Sequence, residues 1–165
     1  MNSSAASSYS IRPVNPDDLK PLAQFFEANN HIETTRQFNP FPLTVETARW
    51  IVLEPHQDCY FVAATGTGGI IGFGMLRGWD EGYEIPSFGI LVGAAIRGNG
   101  IGRELISYAI ETACERDCPS IRLSVYEDNT SAIKFYKGLG FVEAERQLTE
   151  VLNRETYKII MLKEL

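Results

Sequence analysis

Residues 90–103 read ILVGAAIRGNGIGR. An apolar strand ending at Val92 leads into a glycine-rich turn, and the turn opens a long helix predicted from Gly100 to about Arg116. Glycine at positions 98, 100 and 102 allows positive φ angles and a close approach of the backbone to a ligand. Free N–H groups at such a helix start bind phosphate or pyrophosphate, and Arg97 adds charge-assisted hydrogen bonds to the same oxygens. The stretch therefore predicts a phosphate-binding loop.

Three kinds of phosphate-binding loop compete for this stretch. A P-loop requires G-x-x-x-x-G-K-[ST], and no Lys-Ser or Lys-Thr follows here. A dinucleotide loop requires G-x-G-x-x-G inside a βαβ unit, whereas the spacing here is G-x-G-x-G and the preceding chain is rich in hairpins. The pattern R-x-x-G-x-G fits Arg97, Gly100 and Gly102. A glycine turn that serves packing alone is the remaining alternative.

A second motif follows the next predicted strand, where residues 129–141 read NTSAIKFYKGLGF. Asn129 can cap a helix predicted over Thr130–Gly138, with Gly138 as its C-cap. Ala132 and Tyr136 are four residues apart and share one helix face. Taken alone, Tyr136 is as well explained as a core aromatic residue, but the glycine loop upstream favours a functional role.

The rest of the chain supplies a sheet around these two motifs. Pro40 and Pro42 exclude a helix interior in the segment His31–Leu43, which we expect to be irregular. Pro86 and Gly89 predict a bulge or distortion in their strand. The predicted strands are Ser8–Val14, Cys59–Thr65, Ile70–Trp79, Glu84–Val92, Ile121–Val125, Phe141–Glu150 and Glu155–Leu162, and further helices open at Pro16 and Thr44. This order predicts an α+β fold with a mixed, mostly antiparallel sheet of about seven strands flanked by about four helices.

The composition is that of an ordinary globular chain. Of 165 residues, 44% are hydrophobic and 22% charged, which predicts one domain over residues 9–165 behind a flexible tail of residues 1–8. A net charge of −6 argues against a nucleic-acid partner, and no apolar run reaches the roughly 18 residues of a membrane span. Met1–Ser10 does not have the features of a signal peptide. The three cysteines match no zinc or redox spacing, so we expect free thiols, no metal and a cytoplasmic location.

Together the two motifs resemble the GCN5-related N-acetyltransferase (GNAT) superfamily. The resemblance is strongest over Glu84–Phe141, and the order of elements extends it over about residues 9–163. Residues 93–95, Gly-Ala-Ala, depart from the polar residues and proline that members often have there. The resemblance rests on Ile90-x-Val92, Arg97-x-x-Gly100-x-Gly102 and Asn129-x-x-Ala132-x-x-x-Tyr136 followed by Gly140-Phe141.

This resemblance implies that acetyl-CoA, as the acetyl donor, lies between two splayed parallel strands, Glu84–Val92 and Ile121–Val125. Backbone groups of Ile90 and Val92 would hold the pantetheine arm, and the Val92 N–H would polarise the thioester carbonyl. The pyrophosphate would lie on the glycine loop. The residues implied in acetyl-CoA binding are Ile90, Leu91, Val92, Arg97, Gly98, Asn99, Gly100, Ile101, Gly102, Arg103, Asn129, Ala132 and Tyr136.

The reaction implied by the resemblance is direct attack of a primary amine on the thioester in a ternary complex. Tyr136 matches the position of the general acid that protonates the departing thiolate. A general base must deprotonate the amine. Glu84 is the first candidate, because it begins the predicted strand Glu84–Val92. An ordinary exposed carboxylate is the alternative for Glu84, and His31, Asp80 and Glu81 are weaker candidates.

The acceptor is expected to be the amine of a small molecule. An amino sugar or nucleotide-linked amino sugar is favoured, because the runs Phe38–Leu43 and Glu84–Ser87 resemble acetyltransferases encoded with sugar-biosynthesis enzymes. The alternatives are a non-catalytic acyl-CoA sensor and a protein N-terminal or lysine acetyltransferase. The resemblance also allows a homodimer. The residues expected to bind the acceptor are His31, Arg36, Phe38, Phe41 and Trp79, with Tyr83 as a further stacking surface.

Overall fold

The computed structural model describes residues 8–165, so the predicted tail lies outside the described residues except for Ser8. A seven-stranded sheet with the order β1-β2-β3-β4-β5-β7-β6 forms the centre of the fold. Its neighbouring strands are antiparallel except for the parallel pair β4 and β5. The strands are β1 (Tyr9–Pro13), β2 (Cys59–Thr65), β3 (Ile70–Arg77), β4 (Ser87–Val92), β5 (Ser120–Tyr126), β6 (Val142–Val151) and β7 (Arg154–Glu164). The predicted mixed, mostly antiparallel sheet is confirmed.

Five α-helices lie within residues 8–165, one more than predicted. They are α1 (Leu19–Asn29), α2 (Ile32–Thr35), α3 (Val45–Leu53), α4 (Ile101–Glu115) and α5 (Thr130–Gly138), with 3-10 turns at Pro16–Asp18 and Ala94–Ile96. The additional helix, α2, corrects the prediction of an irregular segment there. It ends before Pro40, and the prolines exclude helix only in the part of the segment that follows it.

Polar caps fix the helix boundaries. The Thr44 hydroxyl accepts from the N–H of Thr47 (3.2 Å) and caps α3, as the sequence predicts. The expected C-cap at Gly138 is wrong, because Gly138 is the last residue of α5. The left-handed conformation falls instead on Gly140 (φ 91°), where the chain turns toward β6.

Helices cover β1–β4 on both faces. On one face, α1 and α3 bury an aromatic core in which Phe26 meets Phe73 edge to face, with ring centroids 5.2 Å apart. On the other face, α4 buries Leu105 and Ala109 against Phe61 of β2. Because side chains alternate along a strand, neighbouring residues of β2 contribute to different cores.

The second half of the sheet, β5, β7 and β6, is covered on one face only. Ile121, Leu123 and Val125 of β5 are buried in the core beneath α4 and α5. The side chains between them point to the opposite face, where a cavity lies rather than a helix. At the outer edge, β6 pairs only with β7, and its register shifts between Glu143 and Glu145.

The strands β4 and β5 separate almost at once. They share a single paired position, Ser87 with Arg122. The strand predicted from Glu84 therefore begins three residues later, and Glu84 precedes it. Of the bulge or distortion expected at Pro86 and Gly89, the bulge is absent, because β3 and β4 pair without a register shift. The pairing of β4 with β5 is nevertheless interrupted after Ser87. A Cβ at Gly89 would lie 2.5 Å from Cε of Met75, so this glycine makes room for that side chain.

Candidate active site

Backbone hydrogen bonds fix which way each residue of β4 points. The N–H of Gly93 donates to the carbonyl of Ile71 in β3 (3.1 Å), whereas the carbonyl of Pro86 accepts from the N–H of Arg122 in β5 (3.0 Å). Backbone polar groups of consecutive strand residues point to alternate sides. Odd-numbered residues of β4 therefore face β3, and even-numbered residues face β5.

Beyond Ser87 the even-numbered residues face an opening instead of a strand. Ile90 and Val92 present their N–H and C=O groups to this opening, which leaves an unpaired strand edge inside the sheet. Leu91, also expected to bind the cofactor, faces β3 with its backbone. Its side chain is only 3% exposed and belongs to the aromatic core of α1 and α3.

The glycine loop follows directly and opens α4. Gly98 (φ 86°) and Gly100 (φ 82°) adopt the left-handed conformation, and Gly100 is the N-cap of α4. No side chain caps this helix. The first N–H groups of a helix have no intrahelical partner, so those of Ile101, Gly102 and Arg103 are available to an anion.

Three side chains of the loop region differ in what they contact. The Asn99 amide donates to the carbonyl of Ile96 (3.1 Å), so it braces the loop itself. The Arg103 guanidinium lies 5.7 Å from the centroid of the Phe135 ring, which links the first turn of α4 to the middle of α5. Arg97 reaches the opening between β4 and β5.

The opening forms a cleft of about 660 Å³. It contains seven of the residues expected to bind the cofactor: Ile90, Leu91, Val92, Arg97, Asn129, Ala132 and Tyr136. The remaining six lie beyond the end of β4: residues 98–100 belong to the glycine loop, and residues 101–103 form the first turn of α4. Two stretches far apart in sequence thus meet at one cleft, as the two motifs predict.

Tyr136 lies on the α5 side of this cleft. Its ring packs against Phe135 and Phe141, with centroids at 5.3 and 5.7 Å. Burial raises the pKa of its phenol to about 12. The hydroxyl is therefore a proton-bearing donor throughout the neutral range.

The turn between β5 and α5 contacts the residues that follow α2, on the other side of the cleft. We refer to residues 32–38 as the α2 segment. The Asn129 side chain caps α5 by accepting from the N–H of Ala132 (3.3 Å), and its amide nitrogen donates to Gln37 (3.4 Å). Arg36 forms an ion pair with Asp128. Arg36, expected to bind the acceptor, lines the cleft between β4 and β5. We refer to this cleft as the cofactor cleft.

A second cavity, of about 860 Å³, lies on the open face of β5 and β7. It meets the cofactor cleft where the α2 segment crosses β5. The residues that line both are Gln37, Phe38, Ser124 and Val125. We refer to the larger one as the acceptor cavity and to these four residues as the junction.

The structure brings only part of the predicted acceptor set into this cavity. Phe38 lies at the junction, and Tyr83 lines the acceptor cavity. Phe41 is stacked among core aromatics, 6.0 Å from Phe26, and so packs rather than binds. Trp79 lies under the Arg116 guanidinium, 4.2 Å from its ring centroid, outside the cavity. His31 is exposed at the start of α2, with its ring beside the Thr34 hydroxyl.

The candidate bases divide in the same way. Glu84 and Glu81 line the acceptor cavity. His31 and Asp80 do not line it, and Asp80 is engaged elsewhere because it accepts from the N–H of Gln57 (2.8 Å). The hydrogen bond from Gln57 is the leading reason that the pKa of the Asp80 carboxyl lies below its usual value.

Several polar residues that line the acceptor cavity were not expected from the sequence, among them Arg77, Arg122, Ser124, Tyr126, Glu145 and Lys158. The alternation within β5 contained a signal for two of them, because Arg122 and Ser124 interrupt the apolar series Ile121, Leu123 and Val125. For Glu145 and Lys158 the pairing of β6 with β7 had to be known first.

Within residues 8–165, none of the helices combines the length and the hydrophobicity of a membrane-spanning segment. The same residues contain no group of three or more histidine, cysteine or acidic side chains placed to hold a metal ion.

Comparison with solved structures identifies the fold. The ribosomal-protein-S5-alanine acetyltransferase of Vibrio fischeri superimposes with a TM-score of 0.79, covering 94% of this chain and 92% of that one. The two are 20% identical in sequence, so this likeness shows the fold alone.

Comparison of sequences extends the relationship to the family. An uncharacterized N-acetyltransferase of Methanocaldococcus jannaschii is 32% identical over 146 residues, which are 83% of this chain, and the chain spans 62% of that protein's length. The spermine/spermidine N(1)-acetyltransferase of Bacillus subtilis is 27% identical over 147 residues, 81% of this chain and 88% of that protein. The model of the Acetyltransferase (GNAT) family matches residues 23–141, most of the sheet and both motifs. The chain therefore belongs to the GNAT family of acetyltransferases.

Proposed function

We propose that this chain is an acetyl-CoA-dependent N-acetyltransferase that moves an acetyl group to the primary amine of a small molecule in a ternary complex. The observation that carries the proposal is the junction, where a cleft and a cavity meet on either side of Ser124 and Val125. An acetyl donor in the cleft and an acceptor in the cavity would come into contact at these residues. Direct transfer of the acetyl group requires such contact.

The cleft fits acetyl-CoA, which GNAT proteins generally use. An extended pantetheine arm can bond the unpaired edge at Ile90 and Val92 as an added strand would. The pyrophosphate can lie on the uncapped start of α4, next to Arg97. When bound, acetyl-CoA supplies an activated acetyl thioester.

Two groups of this chain would act on the acetyl thioester. The Val92 N–H would donate to the thioester carbonyl, and a donor in this role typically contributes about 2.7–4 kcal/mol. The phenol of Tyr136 would give its proton to the departing thiolate. Its raised pKa means that the phenol is protonated at neutral pH and that it is a weaker acid than an ordinary tyrosine.

The general base is assigned to Glu84. The amine arrives protonated near neutral pH and must lose a proton before it can attack. Glu84 and Glu81 both line the acceptor cavity, but the Glu81 carboxylate is already engaged with the Arg77 guanidinium at 4.0 Å. Glu84 has no such partner among the described residues.

The first experiment measures thiol release from acetyl-CoA across amino sugars and their nucleotide conjugates, polyamines, amino acids and short peptides. Turnover with a small amine supports the proposal. Turnover with peptides alone would indicate a protein acetyltransferase. Tight acetyl-CoA binding without turnover on any amine would indicate a sensor.

The Tyr136→Phe substitution tests the acid. We expect kcat to fall about 100-fold, because a positioned acid typically contributes 10²–10⁴-fold, while the Kd for acetyl-CoA measured by calorimetry stays unchanged. Tyr157→Phe, on the exposed side of β7, is the matched control and should leave kcat unaltered. Equal kinetics of the two variants would remove Tyr136 from the acid role.

A further inference from the structure

Two cations in the acceptor cavity, Arg122 and Lys158, form no ion pair with any residue that the structure describes, and Arg122 is the one with a buried donor that lacks a hydrogen bond. Arg122 of β5 points to the open face of the sheet and lines the cavity. Its Nε is buried and makes no hydrogen bond with any described residue. None of the ion pairs within 4.0 Å among residues 8–165 involves this guanidinium. A buried, unpaired donor of this kind is costly and usually has a partner.

The neighbouring Arg77 shows what a structural arginine looks like in the same cavity. Its guanidinium lies 3.8 Å from the Asp58 carboxylate and 4.0 Å from that of Glu81. It also stacks over the Phe41 ring at 5.5 Å. The Nε of Arg77, like that of Arg122, is buried without a hydrogen bond. The two arginines differ in their ion pairs: the charge of Arg77 is compensated by two carboxylates, whereas that of Arg122 is available to a ligand.

The position of Arg122 relates it to the reaction. It lies two residues from Ser124 of the junction, roughly 6.6 Å along an extended strand. This distance is within the length of a small molecule. An acceptor whose amine lies at the junction can therefore place a second functional group against Arg122. A guanidinium binds carboxylate and phosphate in bidentate fashion.

We propose that the acceptor is a primary amine that also carries an oxyanion, either a carboxylate or a phosphate, and that Arg122 binds this oxyanion. The inference rests on the proposed function and narrows its substrate class. The cavity is lined by three cations, Arg77, Arg122 and Lys158, and by three carboxylates, Glu81, Glu84 and Glu145. A polyamine offers no oxyanion to Arg122, so we expect polyamines to be poorer acceptors than amines that carry one.

The test compares acceptors that differ only in the oxyanion. Free amino acids are paired with their carboxamides, and glucosamine 6-phosphate is paired with glucosamine. For one of the two pairs we expect kcat/KM to be at least tenfold higher with the charged member, and the pair that responds distinguishes carboxylate from phosphate. Higher kcat/KM for both neutral members, or for spermidine, would overturn the proposal.

Substitution then assigns the preference to Arg122. Arg122→Gln should lower kcat/KM at least tenfold for the charged acceptor, mainly through KM, and change that for its neutral partner less than twofold. Arg122→Lys, which keeps the charge without the fork, should recover part of the loss. Arg49→Gln, on the exposed side of α3, is the control for loss of a positive charge. An equal loss with both acceptors would show that Arg122 only supports the sheet.

Failure of the inference and failure of the proposed function are distinguishable. If amines react without preference for an oxyanion, the N-acetyltransferase stands and the role of Arg122 falls. If no amine releases thiol, the proposed function fails. Calorimetric titration with glucosamine 6-phosphate and the amino acids then decides about the site. If the wild type binds one of these compounds and the Arg122→Gln variant does not, the oxyanion site is supported. If the wild type binds none of them, the proposed site is wrong.

Discussion

The two halves of the sheet differ in how they are covered. In β1–β4, helices pack on both faces, and the aromatic core around Phe26 and Phe73 fills one of them. In β5, β7 and β6, the cover is one-sided, and the bare face forms the floor of the acceptor cavity. The cofactor cleft lies between the halves, where β4 and β5 share one paired position. We call β1–β4 the closed half and β5, β7 and β6 the open half. The closed half is packed on both faces, and the open half borders the acceptor cavity.

Within the open half, adjacent residues of β5 should respond in opposite ways to truncation. Leu123 is 2% exposed beneath α4, whereas Ser124 faces the cavity. We expect Leu123→Ala to lower the free energy of unfolding by about 2–5 kcal/mol, because it leaves a cavity in the core. Ser124→Ala should change it by no more than about 0.5 kcal/mol. Urea unfolding of both variants measures the contrast, and similar losses would show that the open face also bears the fold.

A buried ion pair should make the closed half sensitive to acid. The Asp18 side chain, 2% exposed, accepts from Arg12 of β1 (2.6 and 2.8 Å) and from the N–H of Asn15 (2.9 Å). Burial opposes its ionisation, but these bonds and the charge of Arg12 prevail and hold the pKa of Asp18 below its usual value.

We expect Asp18→Asn to lower the free energy of unfolding at pH 7 by about 1.5–3 kcal/mol, the contribution of hydrogen bonds to a charged group. The contribution is complete above the unfolded pKa of about 3.9 and is lost as the pH falls through the lower folded value. The wild type and the variant should therefore converge below about pH 4. Asp17→Asn, on the exposed side of the same turn, is the control, and a difference that persists in strong acid would contradict this account.

The smallest effect is expected where the α2 segment meets the open half. Arg36 and Asp128 form an ion pair in which both side chains are more than 40% exposed. Asp128→Asn should lower the free energy of unfolding by about 0.2–1 kcal/mol at low salt. The difference should vanish in 1 M salt, where screening is nearly complete. Glu111→Gln on α4 provides the comparison, and a larger loss that resists salt would mean that this pair closes the cleft structurally.

The sequence predicted the elements that follow local rules. The hydrophobic alternation in Ile121–Val125 and the glycines before α4 were sufficient to locate β5 and the glycine loop that opens α4. The predicted strand start at Glu84 and the predicted bulge at Gly89 were wrong, because pairing with β3 and the packing of Met75 decide how β4 begins and continues. These are contacts between distant parts of the chain.

The acceptor site was harder to predict for the same reason. Aromatic residues were expected to line it, but Phe41 packs in the core and Trp79 lies against Arg116. No local pattern separates an aromatic residue that packs from one that binds. The charged lining depends on which face of β5 and β7 stays uncovered, and only the packing of α4 and α5 settles that.

The outer strand β6 has a consequence for solubility. An unpaired edge invites strand-to-strand association with other copies of a chain, which leads to aggregation. Here the register shift between Glu143 and Glu145 interrupts the regular edge, and the exposed charges of Arg146 and Glu150 line it further along. Both features disfavour edge-to-edge pairing. The unpaired edge of β4, by contrast, lies inside the sheet, where a neighbouring molecule cannot add a whole sheet to it.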